Sequence, residues 1–195
     1  GLADTLVMLG LRYGSDASLA FAADTMRLIC HAAYRASVAI AQENRLPFLH
    51  LVESAGANLL KYRVEDFIHG GGLFCGMTRL SAAGIPVVTV VHGSSTAGGA
   101  YMPGMSDYVV MVRGRAKAFL AGTALLKAAT GEDASEEELG GAEMHATTSG
   151  LCEYLAEDDA DGIRLAREVL AKLDWNRDVR QEQKSVPTPR RDIEE

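Results

Sequence analysis

Val87-Val88-Thr89-Val90-Val91-His92-Gly93-Ser94-Ser95-Thr96-Ala97-Gly98-Gly99-Ala100-Tyr101 is the stretch that decides the fold class. Positions 87–91 are almost uniformly β-branched without polar alternation, the composition of a strand buried on both faces, as in a parallel sheet. The small residues from Gly93 onward are expected to end this strand in a tight loop that opens a short helix. Upstream, Gly84-Ile85-Pro86 breaks a helix expected over 72–83. A similar unit comes earlier: Phe48-Leu49-His50-Leu51-Val52 reads as a strand and Glu53-Ser54-Ala55-Gly56-Ala57 as its small-residue loop. Two strand, loop and helix units in succession point to an α/β layered fold with ligands at the strand ends.

Working outward, 108–112 and 116–120 are expected as further strands, and the acidic stretch 136–141 as a helix. A long amphipathic helix starts at Ser15 or Asp16, where Leu19, Ala22, Met26, Ile29, Ala33 and Ile40 recur at helical spacing, and it stops before Leu46-Pro47. Residues 159–173 repeat the helical pattern with Ile163, Ala166, Val169 and Leu170 on the apolar side. The stretch 176–195 is polar, holds Pro187 and Pro189, and has no periodic apolar face, so it reads as a linker or tail.

At 195 residues and 48% hydrophobic content, the chain can bury one substantial core. Its net charge of −7, without a dense basic block, argues against a nucleic-acid partner. Cys30, Cys75 and Cys152 form no CxxC or Cys/His cluster, so no metal is expected, and they read as reduced, buried thiols of a cytoplasmic protein. A secretory leader pattern and a run of eighteen apolar residues are both missing, so no membrane partner is expected.

The glycine loop carries the candidate chemistry. Backbone amides at a turn that opens a helix can donate to an anion or oxyanion, whereas the bland reading is that the glycines only let helix and sheet approach closely. A second loop at Ser54-Ala55-Gly56-Ala57 would let two sets of donors converge on one oxygen. His92 and His145 are imidazoles near these motifs, each with packing as the plainer role. Glu136, Glu137 and Glu138 read as a solvated helix face rather than a catalytic carboxylate pair. Lys61, Arg63, Arg79, Arg113, Arg115 and Lys117 are the cations from which phosphate contacts would come.

Several motifs in series carry a family resemblance: Arg45-Leu46-Pro47, then Leu51 to Leu59, Leu80-Ser81-Ala82-Ala83-Gly84-Ile85-Pro86, Gly93 to Pro103, Met105-Ser106-Asp107, Ala129-Thr130-Gly131-Glu132 and Leu139-Gly140-Gly141-Ala142-Glu143-Met144-His145. Their order and spacing resemble the carboxyltransferase subunits of biotin-dependent acyl-CoA carboxylases of the methylcrotonyl, geranyl and propionyl-CoA type. The resemblance implies a crotonase-like (ClpP/crotonase) layered α/β domain over 39–175, between a helical segment 1–38 and the polar linker or tail 176–195. It implies transfer of a carboxyl group from carboxybiotin to an acyl-CoA through an enolate held by backbone amides. Gly98 and Gly99, with Gly56 or Ala57, would be those donors, and Ser54, Ala55, Thr96, Ala97, Ala100 and Tyr101 would line the CoA thioester site. Biotin would arrive on a separate carboxyl carrier and ATP would be used by a separate biotin carboxylase component, so no protein base is required. A second crotonase-type domain beyond 189–195 would supply the biotin side of the site in a homo-oligomer.

Two stretches depart from the family. Residues 1–38 resemble instead a short helical piece of cobalamin-dependent ribonucleotide reductases, without that enzyme's radical or thiol-pair chemistry. Gly122-Thr123-Ala124 stands where the family has Gly-Pro-Pro, which would leave that loop freer. The competing readings are a single-domain crotonase-type hydratase, isomerase or thioesterase, which would need a protein acid or base, and an inactive truncated or chimeric module.

Overall fold

The computed structural model describes residues 1–54 and 64–175. Its centre is β2 (Val87–Thr96), the longest strand of a five-stranded sheet, flanked by β1 (Phe48–Ser54) and β3 (Tyr108–Val112), with β5 (Tyr154–Ala156) beyond β3. All of these pairings are parallel. The first half of β2 bonds to both β1 and β3, while its second half bonds to the short β4 (Lys117–Phe119), which pairs Ser94, Ser95 and Thr96 with Lys117, Ala118 and Phe119. Positions 93–96 are therefore strand rather than the loop their small residues suggest, because β4 gives their backbone groups a partner.

Helices cover both faces. On one side lie α2 (Asp16–Asn44) and α3 (Val64–Ala82), which enclose Phe48, Met77, Leu80, Ile85 and Val87. On the other lies α8 (Asp159–Lys172), whose N-cap Asp158 accepts from the Asp161 amide and whose Gly162, Ala166 and Val169 are buried. Gly162 is required by close approach, since a Cβ there would sit 3.1 Å from Val90 Cγ1. The double cover explains why 87–91 are buried without alternation, whereas edge strand β1 alternates, burying Phe48, His50 and Val52 and leaving Leu51 exposed.

Side chains tie the turn between β2 and β3 back to the sheet. The Asp107 carboxylate accepts from the Val87 amide at 2.8 Å, and the Asp107 amide donates to the Val87 carbonyl at 2.9 Å. Thr89, fully buried, meets the Ser106 hydroxyl at 2.7 Å, so the one polar side chain in the valine run is satisfied. Met105-Ser106-Asp107 thus has a structural purpose as the clamp on this turn.

The expected helix that stops before Leu46-Pro47 is α2, capped by the Ser15 side chain and ended by Arg45 in the left-handed region (φ 48°). It runs unbroken across positions 38 and 39, and among its residues only Ser18 and Ala41 are buried. A short α1 (Leu2–Met8) packs Leu6 near its start. The expected acidic helix is α6 (Glu136–Gly140), with a capping box between Ser135 and Glu138. Helix α3 begins eight residues earlier than expected, at Val64, despite the glycines at 70–72. Strand β5 escaped the sequence because three residues carry no periodicity; it is fixed from outside, by the Glu153 carboxylate accepting from the Val109 amide at 2.7 Å.

The thiols differ from expectation: Cys152 is buried, but Cys30 and Cys75 are exposed on helices rather than in the core. Burial pushes the Cys152 thiol up to about 11. Thiol titration of the native chain with a disulfide reagent at pH 8 is expected to show two fast groups, with the third reacting only after unfolding; all three reacting at one rate would contradict this packing.

A buried group that the sequence did not single out is His50, 5% exposed, whose Nε2 lies 3.1 Å from the Tyr34 hydroxyl while Nδ1 has no partner among the described residues. Burial holds its imidazole below the ordinary value of 6.5. The unfolded chain therefore takes up this proton at higher pH than the folded chain, and the stability associated with neutral His50 is lost as pH falls below about 6.5. The urea midpoint is expected to drop between pH 7.5 and 5.5, and to drop less in His50→Phe.

Candidate functional site

At its far end β2 leads into a single 3₁₀ turn, Ala97–Ala100, and then into α4 (Tyr101–Gly104). Thr96 is extended (φ −108°), but Ala97 adopts φ +54°, a left-handed conformation that costs a non-glycine residue about 1–2 kcal/mol. That reversal turns the strand into the turn. Thr96 is the N-cap, whose carbonyl takes the first i→i+3 bond, from Gly99; the Ala97 and Gly98 amides precede it and have no acceptor within the turn. Of the two glycines expected as donors, Gly98 is the one with an amide left free by the turn.

The glycines differ in packing as well. A Cβ on Gly98 would make only an ordinary contact, 3.7 Å from Phe74 Cζ, whereas one on Gly99 would sit 2.9 Å from Ser54 Cβ and 3.2 Å from Ser95 Oγ. Gly99 therefore carries a close-packing requirement, and its amide, taken by the Thr96 carbonyl, is not left free for the donor role expected of it. This contact also joins Ser54, at the end of β1, to the glycine turn. Beneath them the Ser95 hydroxyl is wholly buried with no hydrogen-bond partner among the described residues. Over the turn, Phe74 of α3 and Tyr101 of α4 meet edge to face at 5.8 Å, with Tyr101 half exposed. Ala55, Gly56 and Ala57 lie outside the described residues, as do Lys61 and Arg63.

Ala100 also forms part of the wall of an apolar cavity of about 740 Å³, together with Phe119, Leu120, Leu125, Leu126 and His145. Leu120 and Leu125 are exposed at its mouth. The helix on this side is α5 (Thr123–Thr130), which begins at Thr123 with Gly122 as N-cap. Thr123-Ala124 is thus a first helical turn rather than the freer loop expected, and it stands at positions where proline is compatible with a helix start.

His145 is buried in a short π turn (His145–Ser149), with Nε2 2.7 Å from the Ala118 carbonyl and Nδ1 2.7 Å from the Ser149 hydroxyl. A carbonyl only accepts, so Nε2 carries the proton and Nδ1 accepts from Ser149. Both nitrogens are thus engaged, Nε2 fastening β4 and Nδ1 closing the π turn. His92 is half-buried on β2. The expected phosphate cations are partly committed: Arg113 pairs with Glu143 and Glu157, Arg115 with Asp159, and Lys117 with Glu136 and Glu137. Glu138 closes its own N-cap, so each member of the acidic run has a structural partner.

A parallel sheet with helices on both faces, whose longest strand ends in an amide-presenting turn next to an apolar cavity, places this chain among crotonase-type layered α/β domains. Solved structures agree. The beta subunit of Pseudomonas aeruginosa geranyl-CoA carboxylase superposes with a TM-score of 0.63 at 61% identity, covering 71% of this chain and 26% of that one. Transcarboxylase 12S with methylmalonyl-coenzyme A bound gives 0.63 at 31% identity, covering 68% and 26%. Among curated proteins, the probable biotin-dependent acyl-coenzyme A carboxylase beta2 subunit of Mycobacterium tuberculosis is 59% identical over 136 residues, 70% of this chain and 26% of its own length. The probable methylcrotonoyl-CoA carboxylase beta chain of Drosophila melanogaster is 48% identical over 136 residues, 69% of this chain and 24% of its own length. The chain thus spans about a quarter of these relatives. The carboxyl transferase domain profile matches residues 20–195, and the chain belongs to that family.

The two glycines should separate on substitution. Gly98→Ala is expected to leave the urea midpoint almost unchanged, while Gly99→Val drives methyls into Ser54 and costs about 1–3 kcal/mol. Equal losses in the two variants would show that the turn is packed differently.

Proposed function

We propose that this chain is the acyl-CoA-binding part of the carboxyltransferase component of a biotin-dependent acyl-CoA carboxylase. The observation that carries the reading is the Gly98 amide, left without an acceptor by the 3₁₀ turn at the end of β2, in the same turn as Ala100, which borders the apolar cavity. A thioester oxygen taking the Gly98 amide, with the Gly56 or Ala57 amide as a further donor and Gly99 holding the turn against Ser54, would be stabilised most as it becomes an enolate oxygen, because donors fixed in advance cost no reorganisation. Removing one such donor from the complete enzyme is expected to slow turnover about 100- to 1000-fold. Ser54, Ala55, Thr96, Ala97 and Tyr101 are assigned to the walls around the thioester, and the cavity beside Ala100 to the acyl chain.

Carboxybiotin, delivered on a separate carrier and charged by a biotin carboxylase component, would supply the carboxyl group and a nitrogen that takes the substrate proton. The chain's own residues fit a role without acid–base chemistry: His145 has both nitrogens engaged in packing. The hydratase or isomerase alternative needs a carboxylate at the turn. Asp107 is nearest along the chain, but its carboxylate accepts from the Val87 amide; Glu53 adjoins Ser54, the residue that meets Gly99, but its side chain lies over Gly93 instead. A second carboxyltransferase domain and assembly into an oligomer complete the proposed enzyme; among its relatives, transcarboxylase 12S is described as a hexamer.

Calorimetric titration with acetyl-, propionyl- and methylcrotonyl-CoA tests the reading. Saturable binding is expected, tighter for methylcrotonyl-CoA than for acetyl-CoA by about tenfold or more, since each buried carbon contributes about 0.8 kcal/mol. Gly98→Pro, which removes the amide hydrogen, is expected to weaken all three. A folded chain that binds none of them overturns the proposal.

A further inference from the structure

A second cavity lies between α2 and α3, and none of its described lining residues belongs to the glycine turn. The helices touch where Gly76 faces Val38, a Cβ on Gly76 falling 3.1 Å from Val38 Cγ2. Outside that contact they diverge and enclose about 370 Å³, bordered on α2 from Cys30 to Gln42 and on α3 from Gly72 to Arg79. At the rise of an α-helix, that stretch of α2 is about 18 Å long. The floor is closed by Tyr34, whose hydroxyl meets buried His50 beneath it.

Two features distinguish this groove from an ordinary seam between helices. First, Arg35 from α2 and Arg79 from α3 both border it, and neither holds a carboxylate among the described residues, whereas Arg27, Arg113, Arg115, Lys117, Lys127 and Arg164 each do. No Asp or Glu is among the described residues that line the groove. Second, Gly72 is a helix-interior glycine without a backbone or packing reason: its φ is not positive, and a Cβ there would meet nothing within 4 Å. Glycine costs a helix about 1 kcal/mol relative to alanine. What it gives is bare backbone on one wall, opposite the apolar surface of Val38, Ala39 and Leu73.

We propose that the α2–α3 groove binds a single-chain amphipathic anion, a carboxylate or phosphate head held by Arg35 and Arg79 with its apolar chain lying over Gly72, Leu73 and Val38. Two guanidinium forks from different helices suit an oxygen-rich anionic head, and no acidic residue among the described lining residues offsets their charge. The apolar wall of Val38, Ala39 and Leu73 suits a hydrocarbon chain. This site is separate from the acyl-CoA site proposed above and does not depend on it.

Decanoate and decyl phosphate, each titrated below its micelle concentration into the full chain, distinguish the two head groups, with inorganic phosphate as the control without a chain. Saturable binding of at least one amphiphile is expected, with inorganic phosphate at least tenfold weaker. Arg35→Ala/Arg79→Ala is expected to weaken it tenfold or more. Gly72→Leu fills the groove without a clash and is expected to abolish binding while raising the thermal midpoint, leaving methylcrotonyl-CoA binding unchanged. No saturable binding by the folded chain, or undiminished binding in either variant, overturns the proposal.

Discussion

Everything in this domain is arranged around the need to pair both edges and cover both faces of β2. A strand of valines cannot be left at a sheet edge without exposing apolar surface and unpaired backbone groups together. Its first half is paired by β1 and β3, its second half by β4, and α8 on one face and α3 on the other exclude water. Each buried valine contributes on the order of 1.5–3 kcal/mol by leaving water, so this one strand supplies a large share of the driving force. The clamp at Asp107 and Ser106, the glycine at 162 and the short strand β5 all follow from holding neighbours close to it.

The candidate site inherits its rigidity from that strand. The amides of the glycine turn are only as fixed as the residues before them, and those residues are bonded to β4, which His145 in turn fastens through the Ala118 carbonyl. The left-handed Ala97 is a small local cost that persists because the strand before it and the helix after it leave the chain no alternative path. His145 therefore affects the site by position rather than by proton transfer.

Close backbone approach recurs at the same end of the sheet. Gly99 admits Ser54, and Gly93 admits the Glu53 side chain where the β1–β2 register shifts, so that the ends of two strands can share one site. In Gly93-Ser94-Ser95-Thr96-Ala97-Gly98-Gly99 small residues thus serve three different physical needs: a bulge, a buried strand and a turn with a free amide. From sequence alone they look like one loop.

The sequence by itself determined the valine strand, the helix that ends at Arg45, the capped acidic helix and the C-terminal amphipathic helix, because each is encoded by local periodicity or by a capping residue. The serial motifs were enough to indicate the family and to single out the glycine turn as the candidate site. Tertiary structure alone decided that 93–96 are strand, since their partner is β4, some twenty residues away. It alone decided that Gly98 and Gly99 differ, that Cys30 and Cys75 face solvent, and that His145 is fully engaged. The physical reason is common to all of these: a hydrogen-bond partner, a neighbouring Cβ or a covering helix comes from distant parts of the chain, and residue spacing carries no record of it.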